Sequence, residues 1–108
     1  MLFRSVFDAR TLPNPYWDPA LRALTGRDPD VIRYLESMPQ VQRLFDDIAA
    51  FIGQRIPEHQ ANNRRYLTVA IGCTGGQHRS VYLVDKLAAL FSGLFPGVIA
   101  RHTALRGN

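Results

Sequence analysis

"YLTVAIGCTGGQHRSV", residues 66–81, decides how the chain is built. Residues 66–72 are apolar and β-branched on both faces, the pattern of a central buried strand. Gly75 and Gly76 then interrupt the run. Val81, Val84, Ala88 and Phe91 resume it at helical spacing, widened by Leu83, Leu87 and Leu90. A helix apolar over so much of its surface is expected to pack between a sheet and another helix. Strand, glycine turn and helix together form the repeating unit of a parallel sheet, and ligands of such sheets collect beyond the carboxyl ends of the strands.

Working toward the amino end, residues 59–65 are a polar connector. Before it, Val41, Leu44, Phe45, Ile48, Phe51, Ile52 and Ile56 recur at steps of three and four and predict an amphipathic helix, stopped at or just before Pro57. Asp28-Pro29 and Asp18-Pro19 each set a capping acid before a proline. The first predicts a helix carrying Val31, Ile32 and Leu35; the second predicts a short helix ending near Thr25 and Gly26. Residues 10–19 hold three prolines and an asparagine and read as an irregular loop, while residues 2–9 read as a short strand ending at Asp8. On the carboxyl side, Phe95, Pro96 and Gly97 end the last helix, and residues 98–102, "VIARH", read as a final strand. The expected fold is a single α/β domain over residues 1–108, a small, mostly parallel sheet flanked by helices.

Composition narrows the function. Twelve of the thirteen basic residues are arginine, the formal charge is +4, and Lys86 is the one lysine. Arginine binds carboxylate and phosphate through a planar fork, so phosphorylated metabolites or RNA are expected partners; genome composition and solubility explain the same usage without any partner. A single cysteine builds no disulfide framework, no apolar run reaches the roughly 18 residues of a membrane span, and Arg4 and Asp8 break any leader-like pattern at the amino end. A cytoplasmic protein without a membrane role is expected.

The glycine loop, residues 73–80, carries the chemistry. Gly75 and Gly76 let main-chain amides converge on an anion at the amino end of the following helix. Arg79 is within reach for a bidentate contact, and Thr74, His78 and Ser80 add donors. A plain β–α turn, with glycines that serve only packing, is the bland alternative. The nucleotide motif G-x4-G-K-[ST] and the dinucleotide motif G-x-G-x-x-G are both absent. Cys73, Gly76, Arg79 and Ser80 also match C-x2-G-x2-R-[ST], the spacing of a cysteine phosphatase with Cys73 as thiolate nucleophile. Gly72, however, stands where such enzymes usually have histidine, and the general acid would have to be Asp8 or Asp18.

Three stretches, "FDARTLPNPYWDPALRALTGRDPDV", "NNRRYLTVAIGCTGGQHRSVYLVDKLA" and the terminal "RHTAL", closely resemble the carboxyl-terminal domain of the RapZ/YvcJ family over nearly the whole chain. The resemblance implies an α/β fold similar to a sugar-phosphate-binding part of phosphofructokinase. It implies a non-enzymatic sensor or adapter of glucosamine-6-phosphate that contacts small regulatory RNA and a two-component partner in RNase E-dependent control of amino-sugar synthesis. Homo-oligomerisation through this domain is implied too, and no cofactor. The amino-terminal P-loop domain of full-length members has no counterpart in these residues, so its nucleotide binding is not carried over. The family's pocket maps onto Asp8, Cys73, Thr74, Gly75, Gly76, His78, Arg79 and Ser80, with Asn14, Thr25, Arg101, His102 and Arg106 as rim or RNA contacts. Tyr16 and Gln77 depart from the family's histidine and basic residue, and the end of the chain lacks its lysine- and arginine-rich tail. The implied phosphate cradle is therefore better supported than the RNA surface.

Overall fold

β-Branched and aromatic residues in two separate stretches supply the strands of the computed structural model, which describes residues 3–61, 67–73, 77–100 and 102. β1 (Phe3–Asp8) and β2 (Leu67–Gly72) pair in parallel, with Ser5 opposite Val69, Phe7 opposite Ile71 and Asp8 opposite Gly72. Between them come a single 3-10 turn (Pro15–Trp17), α1 (Pro29–Glu36) and α2 (Pro39–Ala61); α3 (Arg79–Ser92) follows β2. A parallel pair needs a long crossover, and α1 and α2 provide it. The α/β class expected from the sequence is the class observed.

Phe7, Leu67, Val69 and Ile71 share one face of the sheet and pack against the helical core. Phe7 meets Phe51 of α2 edge to face, with centroids 5.3 Å apart. Val31 and Leu35 of α1, Val41, Phe45, Ile48 and Ile52 of α2, and Leu83, Leu87 and Phe91 of α3 complete that core. The opposite face of the sheet is open: Val6 is 72% exposed and Thr68 is exposed too. The expectation that β2 is buried on both faces is corrected accordingly. Its apolar residues serve one helical layer, and among the described residues the sheet has two strands.

Three further expectations change. No helix forms after Asp18-Pro19; the chain takes successive turns, closed by Leu21 N and Arg22 N on the Asp18 carbonyl and by Leu24 N on the Leu21 carbonyl. The carbonyls of Arg22 and Leu24 accept instead from the Gln77 side chain, which takes them out of a helical ladder. α2 does not stop at Pro57 but runs through it to Ala61. The carbonyl that loses its donor to the proline belongs to Gly53, which is exposed and so open to water. α1 starts at Pro29 as expected, yet the Asp28 carboxylate caps nothing in the helix; it turns back to accept from Thr25 N at 2.7 Å.

Residues 98–100 form no strand. Gly97, at φ +80°, turns the chain after α3. The following segment then lies across a cavity of about 360 Å³ bounded by Ile56, Val69, Ile71, Ala88 and Phe91, so it does not pair with β2. His102 is pinned regardless. Its Nε2 donates to Asp85 Oδ1 at 2.6 Å, while Arg27 Nε donates to Asp85 Oδ2 at 2.9 Å. Among the described residues no helix is long and apolar enough to cross a membrane.

Burial raises the Asp85 pKa, but the bonds from Arg27 and His102 outweigh it and leave the carboxyl below its usual range. The stabilisation from this clasp is therefore complete above the unfolded aspartate value and disappears as pH falls through the lowered folded value. Asp85→Asn should cost about 1 kcal/mol at neutral pH, the worth of a partly exposed charged bond. Urea titrations at pH 7 and at about pH 2.5, below the reference aspartate value of about 3.9, are expected to show that difference shrinking in acid.

Candidate functional site

Parallel pairing brings the carboxyl ends of both strands to one side. Ala9 N donates to the Gly72 carbonyl at 2.7 Å, extending the ladder one residue and setting Asp8 at the end of β1 and Cys73 just past the end of β2. α3 opens against the same edge. Ser80 N, in its first turn, donates to Cys73 Sγ at 3.3 Å, and the thiol is 3.3 Å from Ser80 Oγ. The thiol thus ties the start of the glycine loop to its end, half-buried and unoxidised. Thr74, Gly75 and Gly76 lie outside the described residues.

The three residues that lead into α3 all turn their side chains onto the main chain of the irregular segment 10–24. Gln77 Nε2 donates to the carbonyls of Arg22 (2.9 Å) and Leu24 (2.6 Å). His78, 4% exposed, places Nε2 3.1 Å from the Leu21 carbonyl, and since a carbonyl only accepts, that nitrogen carries the proton. Arg79, 3% exposed, donates from Nη1 to the carbonyls of Arg10 and Leu12, each at 2.9 Å. Gly26 seals the contact, donating its amide to the Gln77 carbonyl at 3.0 Å. A Cβ at Gly26 would run into the His78 carbonyl and come within 2.5 Å of Tyr82 N, so this "LTG" glycine is required for close approach to α3.

Asp8 is exposed and already engaged. Both of its oxygens accept from the Arg10 guanidinium, with Nε at 3.0 Å and Nη2 at 2.8 Å, and Oδ1 also accepts from Arg10 N at 2.8 Å. The Arg10 side chain, then its amide, hold the Asp8 carboxyl below the usual carboxylate range, with smaller help from the charge of Arg79. Sequence reasoning passed over Arg10. The signal was its place two residues after Asp8 at a strand end, where i, i+2 neighbours lie on the same side of an extended chain.

The remaining sequence-derived candidates separate. Asn14 Oδ1 accepts from Tyr16 N at 3.0 Å and caps the 3-10 turn. Thr25 is occupied with Asp28 and Arg27. His102 sits on Asp85, a contact with α3 and not with the strand ends. Arg101 and Arg106 lie outside the described residues. Asp18 accepts from Ala20 N in a local turn. Among the described residues no group of three His, Cys, Asp or Glu could hold a metal ion. The structure thus gathers Asp8, Cys73, Arg79 and Ser80, with Arg10 added, and sends Asn14, Thr25 and His102 to structural tasks.

Comparison with known proteins assigns the chain's family. The family described as the RapZ C-terminal domain matches residues 3–106. A nucleotide-binding protein of Chromohalobacter salexigens is 55% identical over 100 residues, covering 93% of this chain and 34% of its own length. One from Methylobacillus flagellatus is 56% identical over 103 residues, covering 95% of this chain and 37% of its own length. One from Thioalkalivibrio sulfidiphilus is 59% identical over 86 residues, 80% of this chain and 30% of that protein. The chain spans about a third of the length of the curated relatives it matches.

Because Arg79 holds main chain from a buried position, Arg79→Met should behave as a folding mutation. Two carbonyls lose a charged donor, for a cost of about 2–4 kcal/mol. The urea midpoint is expected to fall accordingly, and amide exchange over residues 9–12 to quicken.

Proposed function

The chain belongs to the RapZ C-terminal domain family, and from that membership we propose that it is a non-enzymatic sensor or adapter domain that binds a phosphorylated amino sugar such as glucosamine-6-phosphate beyond the strand ends. One observation carries the reading: a carboxylate (Asp8), a thiol and hydroxyl (Cys73, Ser80) and exposed and buried guanidinium groups (Arg10, Arg79) meet at the carboxyl edge of a parallel sheet. Such a set offers positive charge for a phosphate and an acceptor for hydroxyl or ammonium groups. Thr74, Gly75 and Gly76 belong to the same proposal, with their amides taking phosphate oxygens. His78 enters it as a support beneath the loop.

A cysteine phosphatase fits the geometry less well. It needs a general acid that is protonated at working pH, and Arg10 holds Asp8 ionised. Asp18 is tied to its own turn. The Ser80 amide that donates to the Cys73 sulfur would suit a thiolate, so the case against catalysis rests on the missing acid.

A second reading, an RNA-contacting adapter, draws on one patch. Trp17 is 75% exposed and stacks edge to face on Tyr16, whose ring carries the Arg22 guanidinium 4.8 Å above it. Exposed aromatics beside arginine offer stacking platforms to unpaired bases. They also suit a protein partner or a second copy of the chain. A cytoplasmic place of action goes with either reading.

Glucosamine-6-phosphate at a hundredfold excess over its Kd should raise the unfolding free energy by about 2.7 kcal/mol, read as a thermal shift. Neither the wild type nor Cys73→Ser should hydrolyse a phosphomonoester. The absence of a shift with any sugar phosphate, or turnover that Cys73→Ser abolishes, would overturn the lead reading. For the RNA reading, binding should weaken steeply with salt and with Trp17→Ala.

A further inference from the structure

Arg79 is the guanidinium that spacing selects as the phosphate ligand, yet its Nη1 is spent on the carbonyls of Arg10 and Leu12 from a 3% exposed position. Arg10 is placed the other way round. Its main chain is held at both ends, the amide by Asp8 Oδ1 and the carbonyl by Arg79, while its side chain is 68% exposed. Among the described residues the partner of that side chain is Asp8, itself 52% exposed, and an exposed ion pair is readily exchanged. A phosphate arriving at the strand ends would otherwise face the Asp8 carboxylate as a like charge.

Building on the proposed phosphosugar reading, we infer that Arg10 is the guanidinium that takes the ligand's phosphate, by leaving Asp8, whose carboxylate then accepts from a hydroxyl or ammonium of the same ligand. Arg79 is the positioning residue: it fixes the Arg10 backbone so that only the side chain has to swing. When the ligand brings both an anion and a cation, Asp8 exchanges one cationic partner for another while Arg10 gains the phosphate. A neutral sugar phosphate gives Asp8 only a neutral hydroxyl in place of the guanidinium, a weaker partner than an ammonium, and inorganic phosphate brings no sugar group to it at all. The exchange therefore selects amino-sugar phosphates over neutral sugar phosphates and over inorganic phosphate.

Calorimetry on the 108-residue chain with glucosamine-6-phosphate, glucose-6-phosphate and inorganic phosphate tests this. Arg10→Ala should weaken glucosamine-6-phosphate binding roughly tenfold or more, as loss of a charge-assisted contact does, with the urea midpoint unchanged. Arg10→Lys should recover part of the loss, and Asp8→Asn should erase the preference for the amino sugar. Arg79→Lys should lower the urea midpoint along with affinity. Wild-type-like binding by Arg10→Ala overturns the inference and leaves the phosphosugar reading standing. If the wild type binds inorganic phosphate but neither sugar, the phosphosugar reading falls, and the response of phosphate binding to Arg10→Ala decides the role of Arg10. If no probe binds, both fall.

Discussion

The buried Arg79 guanidinium, bonded to the carbonyls of Arg10 and Leu12, is the contact on which the rest of the site depends. Residues 9–28 contain no α-helix or strand, so their carbonyls need donors from elsewhere. Gln77, His78 and Arg79 provide them from three successive positions at the start of α3. An irregular segment of about twenty residues is thereby held by one helix end, at a cost in desolvating a charged side chain that the two charged hydrogen bonds offset.

That arrangement assigns the two ends of the loop different work. Its carboxyl end, residues 77–79, is turned inward and structural. Its amino end, Cys73, faces the strand edge beside Asp8 and Ser80. Gly26 belongs to the inward half, because only a residue without a Cβ brings the 24–26 turn against the His78 carbonyl. In a motif that reads as one ligand-binding unit, residues 77–79 thus work as a keystone for the segment before α1.

The sheet is similarly one-sided. Val6 and Thr68 face outward while Phe7, Val69 and Ile71 meet the helices, and the cavity beside Val69 and Ile71 separates β2 from residues 98–100. α3 reaches that carboxyl-side segment through Asp85, whose carboxylate collects Arg27 from before α1 and His102 from beyond α3. α3 therefore secures the segment 10–24 from its first turn and both Arg27 and His102 from its middle.

Local pattern determined the elements that local forces govern. The strand–glycine–helix order, the periodic apolar face of α2, the proline start of α1 and the family motifs were all legible, because period and backbone chemistry act over a few residues. That Asp8 and Cys73 lie near one another at the sheet edge was legible too, because strand ends in a parallel sheet meet on one side. What neighbours a side chain across the fold was not legible. The sequence shows Arg79, His78 and Gln77 as polar residues after two glycines, and nothing local distinguishes a donor aimed at a phosphate from one aimed at a carbonyl 53 to 69 residues away. The same limit hid Arg10, turned a reading of helix at residues 18–25 into turns, and left residues 98–100 without a strand. In each case a distant group competes for the hydrogen bonds or the space that local preference had reserved, and only the tertiary structure decides which one takes them.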